Sequence, residues 1–218
     1  MQASNTVQNV PFAEPTPLGL FGLSIGCAAL LPVAFGMTEA LTPDALHICA
    51  WFCLLFGAGC QFLAGMLSFA NKNMLGGTLL TTFSFNWVMN WWALSELSQG
   101  HVPNSTIVLS VDITFLLIFI VMTYAFGFFS KLLFVFLLDI DALYAFRVLR
   151  ELTHSPGTFA LPIALATVGL LAISLYIAFA MVLNPTAGRP LLPVPGPMFA
   201  AKPAAPVMPA GGTAAAAG

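Results

Sequence analysis

Apolar runs of about 20 residues recur along this chain, split by short polar breaks. Each is long enough to cross the roughly 30 Å of a bilayer's hydrocarbon as a helix. None shows the alternation of the roughly 10-residue strands of a membrane barrel. The charge content agrees, since only 6% of the 218 residues are charged and 59% are hydrophobic. A soluble domain carries about a quarter charged residues, so this chain cannot cover a water-facing surface. A net charge of −2 offers no basic face for nucleic acid, and 20 Phe argue against disorder. The expected fold is all-α, an integral membrane bundle of six transmembrane helices.

The spans are expected at Leu18–Gly36, Leu46–Ala70, Leu75–Leu97, Ser105–Gly127, Phe128–Leu149 and Thr158–Leu183. Pro32 interrupts the first. Breaker residues mark the reversals: Thr42-Pro43-Asp44, Asn71-Lys72-Asn73, Gln99 to Pro103 and Ser155-Pro156-Gly157. Asn104 or Ser105 is the expected N-cap of span four. Residues 1–17 hold no Lys or Arg, so they read as a cytoplasmic arm before a retained span, not as a cleaved signal. Residues 18–183 form the membrane domain, and 184–218 a Pro/Ala/Gly-rich tail that is mobile beyond its first dozen residues. An even number of spans puts both termini on one side. Lys72, Lys131, Arg189 and Lys202 fall there and Arg147 and Arg150 near the other, which favours cytoplasmic termini.

Polar side chains within spans report on the protein interior or on a path through it. Thr78, Thr82, Asn86 and Asn90 recur every four residues in span three, with Thr81 and Ser84 beside them. Such a stripe either replaces a passing solute's water or bonds helix to helix. Trp87, Trp91 and Trp92 are expected near the interface. Asp139 and Asp141 stand about 200° apart on span five, so they do not form one acid pair. One would face a water-filled cavity and the other a neighbouring helix, or both would serve structural ion pairs. Asp112 is expected near a mouth, solvated or at a helix N-terminus. Cys49, Cys53 and Cys60 share a face that reads either as buried small hydrophobes or as a soft-metal face. His47, His101 and His154 lie in or beside connections. No metal site, cofactor motif or catalytic nucleophile is expected, and the chain does not read as an enzyme.

Several motifs then occur in order. Glu14-Pro15-Thr16-Pro17-Leu18-Gly19-Leu20 resembles the Asn-Pro-Ala-Pro-Leu-Gly-Leu signature of the acetate uptake transporter family. Gly59-Cys60-Gln61-Phe62-Leu63-Ala64-Gly65, Asn73 to Thr78 and Asn86-Trp87 are similar to three further elements of that family. Asn184 and the run Gly188-Arg189-Pro190-Leu191-Leu192-Pro193 resemble its closing motif. The resemblance implies a pore in each protomer, a hexamer, and transport of acetate or other small mono- or dicarboxylates such as succinate, often with a proton, across the inner (plasma) membrane. It implies a hydrophobic constriction at Leu23, Phe83 and Asp139, and a polar wall that includes Gln61, Thr81 and Thr82; the stripe adds Thr78 and Asn86. Pro15, Pro17, Gly19, Asn184 and Arg189 belong to the matched motifs. The chain departs from the pattern at Glu14, Ser68, Phe83 and Asp139. An ionised Asp139 would repel a carboxylate by about 4 kcal/mol at 4 Å. It would therefore hold a proton in transit or face away, or the solute would be neutral or a cation, such as urea or ammonium. A non-conducting scaffold or sensor is the remaining alternative.

Overall fold

A computed structural model describes residues 11–200. Lys202, most of the N-terminal arm and the end of the tail lie outside them. Six long helices are found among the described residues, and no strand. They are α1 (Thr16–Ala34), α2 (Pro43–Ala70), α3 (Met74–Ser98), α4 (Ser105–Phe126), α5 (Lys131–Leu152) and α6 (Pro156–Ala187). A 3₁₀ turn, Thr38–Leu41, joins α1 to α2.

The helices begin where short polar side chains can accept from otherwise unpaired backbone N–H groups. Thr42 Oγ1 accepts from Ala45 N at 3.3 Å, with Pro43 at the first helical position. Asn73 Oδ1 accepts from Gly76 N at 2.9 Å, and Asn104 Oδ1 from Ile107 N at 3.1 Å. Ser130 Oγ accepts from Leu132 N at 3.2 Å. Span five therefore starts at Lys131, three residues later than the hydropathy pattern suggests.

Helix α2 is not uniform. Cys53–Cys60 has π geometry, a local underwinding by about one residue. Here α2 meets both α1 and α3 closely. A Cβ on Gly57 would stand 2.5 Å from the Trp87 indole, and one on Gly22 of α1 would collide with the Phe56 carbonyl and Cys60. Trp87 is consequently buried against Gly57 and Gly26 rather than set at the interface. Cys49 and Cys53 are buried in the core, with the Cys49 thiol donating to the Ala29 carbonyl, and Cys60 is half-buried.

Neighbouring helices follow one another around a ring in the order α3, α2, α1, α6, α5, α4. Aromatic side chains close the ring between α3 and α4, with Phe83 and Phe119 centroids 5.3 Å apart. In lipid such packing depends on close fit and interhelical hydrogen bonds, because tails are as apolar as Leu. Ser24 of α1 and Ser174 of α6, both buried, share a hydrogen bond of 2.7 Å. Outward faces carry large apolar side chains, among them Ile107, Leu117, Val121 and Leu165.

Helices α1, α2, α4 and α6 are each long and apolar enough to cross a membrane. The chain is a multi-pass membrane protein. Helix α3, of 25 residues, falls short in apolarity because of its polar stripe, and α5, of 22 residues, carries more charges than a plain apolar span, the two aspartates and Arg147 among them.

After α6 the chain turns at Gly188, whose φ of +64° suits glycine, and folds back over the bundle. Asn184 Oδ1 accepts from Leu191 N and Leu192 N, each at 2.9 Å, and its Nδ2 donates to the Leu192 carbonyl. Lys131 N donates to the Gly196 carbonyl, and Phe199 packs among Tyr124, Phe128 and Phe134.

Candidate functional site

Two cavities enter the ring from opposite ends. The first, about 200 Å³, is bordered by the start of α1 and α3 and by Leu20, Leu23, Gln61, Phe83 and Ile140. The second, about 230 Å³, is bordered by Cys27, Phe83, Asn86, Trp87, Tyr144 and Arg147, with Arg150 further out. Phe83 borders both. Leu23 and Ile140 border the first cavity alone and complete an apolar layer beside Phe83; Leu23, Phe83 and Ile140 are 0%, 3% and 1% exposed. Helices α1, α3 and α5 each run from the first cavity to the second, so this layer takes one residue from each. Phe83 is fixed edge-on by Trp87 (centroids 6.2 Å, 87° between planes) and Phe119 (5.3 Å, 79°), an arrangement aromatic quadrupoles favour.

Asp139 is not in that layer. The neighbouring residue, Ile140, takes the expected place, because one helical step rotates a side chain by about 100°. The Asp139 carboxylate turns to α6, where a Cβ on Gly169 would lie 2.8 Å from Oδ2. Oδ2 is buried without a hydrogen-bond partner among the described residues. Asp141 faces α4, and the Thr123 hydroxyl donates to its Oδ2 at 2.7 Å. Both aspartates face neighbouring helices; neither borders either cavity, and neither has an ion-pair partner among the described residues.

The polar stripe of α3 is divided. Four residues advance a helix by about 400°, so the stripe drifts by about 40° per step. Thr78 is exposed on the outer face, and Thr82 is half-buried. Thr81 lies against Gly65 of α2 with its hydroxyl unpartnered among the described residues. None of the three borders a cavity, whereas Asn86 and Asn90 border the second. Gln61 borders the first and is 1% exposed.

The ion pair that joins two helices among the described residues involves Asp112, and Arg150 and Glu151 pair within α5. Asp112 is buried at two turns into α4 instead of solvated. Arg147 of α5 meets it with two parallel bonds, Nε to Oδ2 and Nη2 to Oδ1, each 3.0 Å. The guanidinium carbon also lies 5.3 Å from the centroid of the Tyr144 ring. Sequence reasoning used Arg147 for topology and passed over Tyr144 and Ile140, and the acid that Arg147 meets is Asp112 and neither Asp139 nor Asp141. Phe136, Ile140, Tyr144 and Arg147 follow the i, i+4, i+8, i+11 spacing of one helix face, and that signal would have found them.

At the first mouth, Glu14 Oε1 accepts from Thr16 N at 3.1 Å and from the Thr16 hydroxyl. The carboxylate thus serves the start of α1 in place of the signature Asn. Pro15 and Gly19 are buried at this start and Pro17 is half-buried, with Gly19 pressed against Leu80 and Ala64. Arg189 is exposed beyond the end of α6.

The solved structure of the bacterial acetate channel SatP superposes with a TM-score of 0.75, over 84% of this chain and 99% of that one, at 22% identity. The chain has the SatP fold. The resemblance read from the sequence and the fold thus point the same way. The glyoxylate pathway regulator of Yarrowia lipolytica (strain CLIB 122 / E 150) is 30% identical over 96 residues. That match spans 43% of this chain and 33% of the regulator's length. No family model matches the chain.

Proposed function

We propose that this protein belongs to the acetate uptake transporter family and moves acetate, or a similar small mono- or dicarboxylate, across the cell's inner (plasma) membrane. The observation behind this reading is the pair of cavities that share Phe83, with Leu23 and Ile140 beside it on the first cavity's wall. A solute sheds water at this apolar collar, which limits its size, and meets polar groups on both sides. Gln61 and the first turns of α1 and α3 supply such groups at one end; Asn86, Asn90 and the guanidinium groups supply them at the other. Arg147 and Arg150 are each paired with a carboxylate, so they offer a carboxylate solute hydrogen-bond donors and not net charge. All six helices cross the bilayer in this reading, both termini are cytoplasmic, and the protomers assemble as a hexamer by analogy with the family.

The test is uptake by the purified protein in sealed vesicles, with labelled acetate, succinate, ammonium and urea offered in turn. Acetate flux well above that of empty vesicles is expected. Flux of ammonium or urea alone would replace the solute, and no flux of any would leave a scaffold.

A proton accompanying the solute is assigned to Asp139, a half-buried residue next to Ile140 whose Oδ2 is buried and unpartnered among the described residues, where a proton would give it a hydrogen to donate. Asp139→Asn is expected to remove the acceleration of acetate uptake by an imposed proton gradient. Unchanged rates with and without the gradient would end this role.

A further inference from the structure

We infer that Arg147 forms a carboxylate-binding subsite in the second cavity, using the edge of its guanidinium that Asp112 leaves open. This deepens the proposed function and rests on it for the identity of the solute. A guanidinium has five N–H groups arranged in a planar fork. It can pair with a carboxylate side-on, through Nε and one Nη, or end-on, through both Nη atoms. Asp112 occupies the side-on edge with two 3.0 Å bonds. Three N–H groups remain, two on Nη1 and one on Nη2, with no partner among the described residues. They make the end-on fork, which matches a second carboxylate.

The burial of the pair is unequal in the sense this requires. The Asp112 side chain is 3% exposed and that of Arg147 is 21% exposed. Arg147 borders the second cavity with Asn86 and Asn90 and without Asp112; the acid and the base together border a third space between α3 and α4. Its position is fixed from two directions, by Asp112 and by the Tyr144 ring. A fixed fork gives up little side-chain freedom on binding. The pair is neutral as a unit, so a carboxylate is held by directed hydrogen bonds more than by net charge. That suits a stop on a passage, where a solute must leave as readily as it arrives.

The test uses the purified full-length protein and labelled acetate, with two readouts. Equilibrium binding of acetate by NMR saturation transfer reads the subsite without flux; vesicle uptake reads passage. Arg147→Lys keeps the charge and removes the fork. It is expected to weaken acetate binding and raise the half-saturating concentration at least tenfold, with the thermal unfolding midpoint near that of the parent. The paired change Asp112→Leu with Arg147→Met removes both charges and restores packing, so it separates structure from recognition. A folded double variant that has lost acetate binding supports the subsite. Parental binding in either variant overturns it, and so does the absence of acetate binding to the parent. Binding that depends on Arg147 in a parent with no acetate flux would uphold the subsite and refute the transport reading.

Discussion

Phe83 is the residue on which both cavities end, and its neighbours explain why it stays there. Trp87 and Phe119 hold the ring edge-on, and Leu23 and Ile140 complete the layer. Phe83→Ala would remove most of the partition and join the two cavities. Acetate uptake should rise several-fold and discrimination against longer acids such as butyrate should fall, in a protein destabilised by about 3–5 kcal/mol if the space does not collapse. Parallel uptake of labelled acetate and butyrate, with a thermal unfolding curve, measures this; unchanged rates for both would show that Phe83 is not the barrier. Leu23 and Phe83 were legible in the sequence through the family motifs around them. Ile140 was not, because span five offers no such motif and an error of one residue turns a helical side chain onto a different neighbour. Asp139 drew attention as a charge in an apolar run, whereas its surroundings, Gly169 above all, are set by a helix nearly 30 residues further on.

The helices were readable as elements from hydropathy and from caps such as Asn104. Their roles separate by polarity. Four helices could span a membrane by composition alone, and the two richer in polar or charged side chains supply Phe83, Asn86, Ile140 and Arg147 to the interior. The π stretch of α2 was not legible, since nothing in Cys53–Cys60 specifies an extra residue per turn apart from the contacts of Gly57. The first dozen residues of the tail, which the sequence reading excepts from its mobile part, are tied to the bundle. Asn184 closes three hydrogen bonds across that turn. Asn184→Ala should therefore release the strap while leaving the helices intact. Amide exchange at Leu191 and Leu192 is expected to speed up at least tenfold, with exchange in α1 unchanged; equal protection in both proteins would show that Asn184 is dispensable to the strap.

At the scale of the molecule, the alternating helices place Phe12 and Lys72 at the first end and Val102 and His154 at the second. If all six helices cross, the two ends lie in different compartments. A cysteine at exposed Val102 should react with an impermeant maleimide from one side of sealed, oriented vesicles, and a cysteine at Phe12 from the other. Labelling of both from the same side would refute six crossings. The ring order was beyond sequence reasoning, and so was the division of the stripe that turns Asn86 inward and Thr78 outward, because periodicity fixes which residues share a face but not which neighbour that face meets. A partition one side chain thick also makes passage a matter of timing. A ring rotation costing about 3 kcal/mol would be populated for somewhat less than 1% of the time. Throughput would then follow the duty cycle of a single aromatic hinge, adjustable by small changes in its sockets at Trp87 and Phe119 while the six-rod frame stays still.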